Sequence, residues 1–443
     1  MKSPSLLSLL TGLALASPLV AGSPQATPQL DTSTGLNAWL DGKYATGTWG
    51  GLRDTLEEHG VEFFGYYTAD IAGNPVGGRK EGGFTYVDDF YFGFNFDLEK
   101  LLGWPGGHFT ISGVNRDGRS LTEEYVGSQY NSQQVYGGQN VFLYQVYLDQ
   151  HFFDDKVSLK LGRFGASDDF NASPIYGLYM NNGINGDIRN ILFNTQFSAY
   201  PFSTWAARVR IDPTPEINAQ VGVFQTWRDV FDNTHNGLNW GIRSEDGVFL
   251  VAQFGWTPEL FKREVPGSAD GKSGPQLKGL PGHYWVGAYY SPWDYPQFGR
   301  VEAADKSYGF YVHGDQMVYR ESWNSDQGLT VWAASGISPQ ESVAIMPFQV
   351  NAGLVYKGLF EGRDEDRTTL GLIYGRFSRD YAGTVKTQGQ GDPRYELVLE
   401  AGHRFQIAKW AYIQPDVQYI IRPGGTGGIG DALVVGAQIG VTF

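Results

Sequence analysis

The chain has 443 residues, a net charge of -14 and no cysteine, with 60 Gly, 12 Trp, 26 Tyr and 28 Phe. The acidic balance excludes a nucleic-acid binder, because no cluster of Lys and Arg is available to neutralise a phosphate backbone. Mean hydropathy is -0.30. Beyond the N-terminus no stretch approaches the roughly 18 apolar residues of a spanning helix, which excludes a helical membrane protein.

The chain opens on Lys2, an apolar run from Leu6 to Ala16, then small residues and prolines. This pattern predicts a secretory signal peptide over residues 1–22, cleaved after Ala16 or near Ala21-Gly22, because Pro18 and Pro24 stop any continuing helix. A secreted chain without disulfides needs another source of stability. A closed sheet supplies one, since it pairs every backbone group and leaves no edge.

Residues 23–60 form a polar N-terminal segment with one short predicted helix. In Thr48 to Gly60, Leu52 and Leu56 share a face and Gly60 is the stop. From Val61 the period is two: Phe63, Tyr67 and Ile71 alternate with Glu62, Thr68 and Asp70. The same alternation recurs in Phe90 to Phe96, in Trp205 to Ile211 and in Ile217 to Trp227. Such segments suit strands tilted across a bilayer, with lipid outside, a polar lumen inside and an interfacial girdle of Trp227, Trp256 and Trp410. A large soluble β-protein is the alternative. Against it stands the final segment, in which Leu433, Val435, Ala437, Ile439, Val441 and Phe443 alternate with Val434, Gly436, Gln438 and Gly440. An amphipathic terminal strand ending in Phe443 looks like the closing signature of bacterial outer-membrane barrels.

Counting back from that strand places strand cores at 432–443, 409–420, 394–406, 367–378, 346–357, 327–337, 307–319 and 283–291. The others fall at 248–256, 217–227, 205–211, 157–164, 141–152, 107–115, 84–97 and 61–72. The prediction is an all-β transmembrane antiparallel barrel of about 16 strands over residues 61–443, an even number as in single-chain barrels. Residues 191–200 also look like a strand, but parity assigns them to a long inward-folded loop, 165–204. The Pro/Gly/Lys-rich insert 257–282 stands where a short turn is expected.

Several runs together then carry a resemblance. They are Gly47-Thr48-Trp49-Gly50-Gly51-Leu52-Arg53, Leu98 to Gly107, Gly118-Arg119-Ser120-Leu121 and Gln133 to Gly138. Leu161-Gly162-Arg163-Phe164 with Asp169-Phe170, Gln414 to Tyr419, and Val441-Thr442-Phe443 complete the set. Over nearly the whole mature chain this resembles the carbohydrate-selective porins of the OprB type. The resemblance implies a Gram-negative outer membrane, a barrel of about 16 strands and passive diffusion of small sugars. It also implies that many members carry a cysteine pair where Gly177 and Asn185 stand here, so the loop Tyr176 to Gly186 lacks that tie.

Sugars are uncharged polyols with an apolar C–H face, so selection calls for aromatic faces and for Arg, Asp and Asn as planar partners of adjacent hydroxyls. Binding must also stay weak enough for release. Loop 116–140 supplies Arg116 and Arg119. Loop 165–204 supplies Asp168, Asp169, Tyr176, Tyr179, Asn181, Asn182, Asp187 and Arg189, and the inward alternates add Arg208, Arg210, Glu396, Glu400 and Arg404. The predicted constriction is Arg116, Arg119, Asp169, Tyr179, Asn181, Asn182, Arg208 and Arg210. The competing account of each residue is a structural ion pair or a solvated loop tip.

An enzyme is not expected. There is no Gly-x-Ser-x-Gly elbow or His-Glu-x-x-His helix, and Gly267 to Ser273 is one residue short of a phosphate loop, with Pro275 behind it. No metal or cofactor is expected. The expected partners are small sugars and outer-membrane lipid, with a homotrimer left open. The alternatives are a porin without sugar selectivity and a sugar-binding surface protein.

Overall fold

The computed structural model describes residues 36–265 and 276–443, so the predicted signal peptide and the apparent phosphate loop lie outside the described residues. The strands are β1 (Val61–Gly78), β2 (Gly83–Asp97), β3 (Gly107–Gly118), β4 (Asn140–Phe152), β5 (Val157–Phe164) and β6 (Thr204–Thr214). They continue with β7 (Ile217–Thr226), β8 (Gly247–Trp256), β9 (Glu259–Val265), β10 (Gln276–Ser291), β11 (Ser307–Arg320) and β12 (Gly328–Ile337). The last are β13 (Phe348–Lys357), β14 (Arg367–Arg376), β15 (Tyr395–Ala408), β16 (Ala411–Ile421) and β17 (Gly430–Thr442).

Each strand pairs antiparallel with its neighbour in sequence, except that β8 pairs with β10, and β17 returns to pair with β1. Sixteen strands therefore close a barrel, with β9 as one extra. Every predicted strand core falls on an observed strand. Closure leaves no sheet edge to face lipid.

Alternation sets the two faces. On β6, Val209 and Ile211 point outward and are exposed, while Arg208 points inward and is buried. Val221, Val223, Phe310 and Val312 continue the apolar outer surface. At the short-turn end Trp410 meets Trp39 with ring centroids 4.4 Å apart, and Trp256 meets Tyr284 at 5.6 Å.

Among the described residues five short α-helices lie off the strands: α1 (Leu36–Leu40), α2 (Leu52–Glu58), α3 (Leu98–Leu102), α4 (Asn190–Asn194) and α5 (Arg379–Thr387). α2 is the predicted N-terminal helix, ending before Gly60, whose φ of 90° is left-handed. Its buried contact is Arg53 rather than the exposed Leu52. Arg53 Nη2 donates to Phe63 O (2.6 Å) and Phe443 O (3.1 Å), and the guanidinium lies 3.2 Å from the centre of the Tyr44 ring. It thereby clamps the β1–β17 seam.

The insert between β8 and β10 adds sheet rather than a loose turn. β9 pairs with the first residues of β10, from Gln276↔Val265 to Pro281↔Glu259. Residues 191–200 form no strand; α4 and the chain after it sit inside the barrel.

The interior is less polar than the expected polar lumen. The loop between β5 and β6 fills part of it with Phe170, Tyr176, Met180, Ile184, Ile188, Ile191 and Phe197. These pack on Trp285, Tyr289, Tyr311 and Trp332 of the inner wall.

Candidate functional site

Two loops fold into the barrel, 119–139 after β3 and 165–203 after β5. Carboxylates on the wall of β15 hold their backbones. Glu396 accepts from Gln129 N (2.9 Å), from Ser128 Oγ and from Gly424 N. Glu400 accepts from Met180 N at 2.5 Å. Arg404 Nη2 donates to Gly177 O (2.8 Å), and Gln414 Nε2 to Leu178 O (3.0 Å). Buried loop amides and carbonyls would otherwise go unpaired, so the inward polar residues of β15 and β16 exist to satisfy them.

Glycines in the wall give the loop its seats. Gly353 and Gly371 face each other across β13 and β14 on the inner side. A Cβ at Gly353 would meet Tyr179 Oη at 2.6 Å, and one at Gly371 would meet Tyr179 Cε1 at 2.7 Å. The open slot lets the Tyr179 hydroxyl reach Leu370 O (3.0 Å) and accept from Trp332 Nε1 (2.8 Å). Where the resemblance implied a cysteine pair, Gly177 bonds to Arg404, and the Asn185 side chain donates to Tyr179 O.

The predicted constriction residues therefore separate. Arg116 is inward on β3, its Nε 2.7 Å from Asp89 Oδ2, and its guanidinium lies 4.8 Å from the centre of the Tyr200 ring. Tyr200 Oη donates to the same carboxylate at 2.7 Å. Arg119 does not join it. Gly118, at φ 111°, turns the chain at the end of β3, and Arg119 is 65% exposed and paired with Glu124.

Asp169 and Arg208 do come together, 3.7 Å apart. Lys160 lies 3.1 Å from Asp169, and Asp149 3.1 Å from Arg208. This buried network braces the loop's first turn on β4, β5 and β6. Arg210 sits two residues further along and pairs with Asp212 at 2.7 Å. Tyr179 is fully buried and presents no free face. Asn181 donates to Gln418 Oε1 (2.9 Å), and Asn182 Oδ1 accepts from Asn131 N (2.7 Å), which ties the two loops together.

One pair within the inner loop is differently placed. Arg189 precedes α4, has a 28% exposed side chain and lies 3.9 Å from Asp187. Among the described residues its side chain makes no hydrogen bond, and both Arg189 Nε and Asp187 Oδ1 are buried without a partner. Off the spanning strands, burial pushes the Asp187 carboxyl up to about 6, against the pull of Arg189. Burial likewise lowers the Arg189 guanidinium, with Asp187 opposing and the field of Arg116 adding to the effect. A partly exposed cation and a buried anion thus stand 3.9 Å apart in the inner loop, each with a polar atom that makes no hydrogen bond. Composition alone showed Asp187 and Arg189 to be polar loop residues. Nothing in their spacing set them apart from their braced neighbours.

This architecture has solved and curated counterparts. The sequence matches the carbohydrate-selective porin, OprB family, over residues 81–443. It is 27% identical to Porin B of Pseudomonas aeruginosa over 445 residues, covering 90% of this chain and 91% of that protein. The high-pH structure of Pseudomonas putida OprB superposes with a TM-score of 0.82 at 27% identity, over 91% of this chain and 99% of that one. The low-pH structure of the same protein gives 0.59 at 24% identity, with the same coverage. A closed barrel with an apolar belt, two loops seated in its lumen and these matches lead to one assignment. The chain belongs to the OprB family of carbohydrate-selective porins and is a passive channel of the Gram-negative outer membrane.

Proposed function

We propose that small sugars are selected beside Arg189 and Asp187 of the inner loop, within the field of the wall's Arg116, which is itself held by Asp89 of the wall and Tyr200 of the loop. The observation that carries this reading is an Arg189 guanidinium that makes no hydrogen bond, beside an Asp187 oxygen that accepts none. Buried polar groups are nearly always satisfied, and those that are not call for a ligand or water. A guanidinium offers two parallel N–H groups to adjacent hydroxyls, and a carboxylate accepts from the next. Arg116 is retained from the sequence-based set as the wall's contribution. Of the other predicted residues, Asp169, Tyr179, Asn181, Asn182 and Arg208 brace the loop, whereas Arg119 and Arg210 pair with their neighbours Glu124 and Asp212.

Because the Arg189 side chain stays partly wet, each of its contacts contributes only about 0.5–1.5 kcal/mol. Binding of that strength allows release, as a channel needs. The experiment is sugar blockade of ion current through the protein in planar bilayers. Arg189→Ala should weaken blockade several-fold while conductance is kept or rises, and Arg119→Ala should leave both unchanged. Unaltered blockade in Arg189→Ala would remove this residue from the selecting site. No sugar blockade in the unmutated channel would point to a general porin.

A further inference from the structure

We propose that His283, His313 and Asp315 form a lumenal binding site for a divalent first-row transition-metal ion. His283 on β10 stands directly across from Asp315 on β11, and His313 lies two residues before Asp315 on the same face. That face is the inner one, since its neighbours Trp285 and Tyr311 are buried under the inner loop while Val286 and Val312 are exposed outside. One nitrogen of each imidazole and one carboxylate oxygen all lie within 4.8 Å of one another. Asp315 Oδ2 is 2.8 Å from His313 Nε2 and 3.3 Å from His283 Nδ1. In a tetrahedral site with bonds of about 2.0–2.1 Å, ligand atoms stand roughly 3.3 Å apart, so small side-chain rotations close the set.

The surroundings are those of a built site. The His313 ring is stacked on Trp285 at 5.0 Å between centroids and is edge-on to Tyr176 at 5.2 Å. Tyr176 Oη lies 2.8 Å from His313 Nδ1. With an ion on Nε2, Nδ1 carries the proton and donates to Tyr176, an outer partner of the kind that orients ligating histidines. His283 and Asp315 are 32% and 18% exposed, so one side stays open to water for the remaining coordination positions. Two imidazoles and one carboxylate suit zinc, nickel or copper, whereas magnesium and calcium call for oxygen-rich sites. None of the three residues belongs to the proposed sugar contacts, so the inference stands independently of the cargo.

The test uses untagged, chelator-stripped protein in detergent, titrated with Zn²⁺ at neutral pH by calorimetry. The expected result is one saturable site per chain that Mg²⁺ does not fill. His283→Asn, at the exposed ligand, should abolish it, and Tyr176→Phe should weaken it about tenfold. In bilayers, Zn²⁺ should reduce cation current through the unmutated channel and not through His283→Asn. If His283→Asn fails to assemble, Asp315→Asn serves in its place. The absence of saturable Zn²⁺ binding, or equal affinity in the ligand variants, would overturn the site and leave a hydrogen-bonded brace.

Discussion

Replacing Gly371 with valine should unseat the inner loop without opening the barrel. The backbone at Gly371 has no left-handed φ, and valine suits a strand, so the wall itself tolerates the change. The slot does not. A Cβ there would lie 2.7 Å from Tyr179 Cε1 and 2.8 Å from Ile184 Cδ1. Carbon atoms in contact prefer about 3.5–4.0 Å, so the ring must retreat by roughly 1 Å before the valine methyls are counted. Overfilling a packed site costs about 1–3 kcal/mol. Loss of the Trp332–Tyr179 and Tyr179–Leu370 hydrogen bonds adds roughly 1 kcal/mol each. A penalty of about 3–5 kcal/mol on loop seating, while Glu400 and Arg404 still hold on, should leave the loop mobile on the channel timescale. Single-channel recording should then show higher, noisier conductance and weaker sugar blockade, with unchanged resistance to heat unfolding in detergent. The outward Leu370→Val serves as the control and should behave as the unmutated channel. Normal conductance and blockade in Gly371→Val would show that Tyr179 does not hold the loop.

The remaining predictions concern the wall and the loop charge. Val209→Arg, on the lipid face, should cost about 2–4 kcal/mol near the bilayer midplane and lower assembly into outer membrane. Recovery at normal levels, measured by heat-modifiable migration, would refute that orientation. Arg208→Ala should also destabilise the fold, because it leaves the buried Asp149 without its arginine and Asp169 with Lys160 alone; conductance is not its main readout. For Asp187, burial raises the carboxyl to about 6. It is charged above that pH and neutral below it, so cation preference should fall as pH drops through this window. Asp187→Asn should remove that part of the titration, and an identical reversal-potential curve in the variant would refute the assignment.

The strands were legible because period-two alternation is local: Val209 beside Arg208 and Phe310 beside Tyr311 report their faces from their neighbours alone. The inward orientation of Glu396, Glu400 and Arg404 was legible for the same reason. Their task was not, because it lies in contacts distant in sequence. Asn181 and Gln418 are 237 residues apart, and Tyr179 and Leu370 are 191 apart. Tyr179 and Asn181 therefore looked like pore-lining chemistry when they are seats and braces. A usable signal was present in the inward glycines Gly353 and Gly371, whose lack of side chains in a wall of large residues marks a slot for something else. Arg189 differs from Arg119 only in what surrounds it, and that is a property of the folded loop.

The clamp formed by Arg53 has a consequence for the order of assembly. Its bond to Phe443 O spans 390 residues, and β1 must pair along β17 for the sheet to close. Closing a loop of that length is entropically unfavourable, and non-local pairing of this kind is slow. Until the final strand arrives, β1 presents a row of unpaired backbone groups that another chain could capture. The last contact made is therefore the one that ends exposure of the nascent edge. Once Arg53 has joined β1 to Phe443, opening at that seam must break both the clamp and the strand ladder. Unfolding from the seam should accordingly be far slower than fraying of any loop, and the native barrel would owe its persistence to a barrier rather than to equilibrium stability alone.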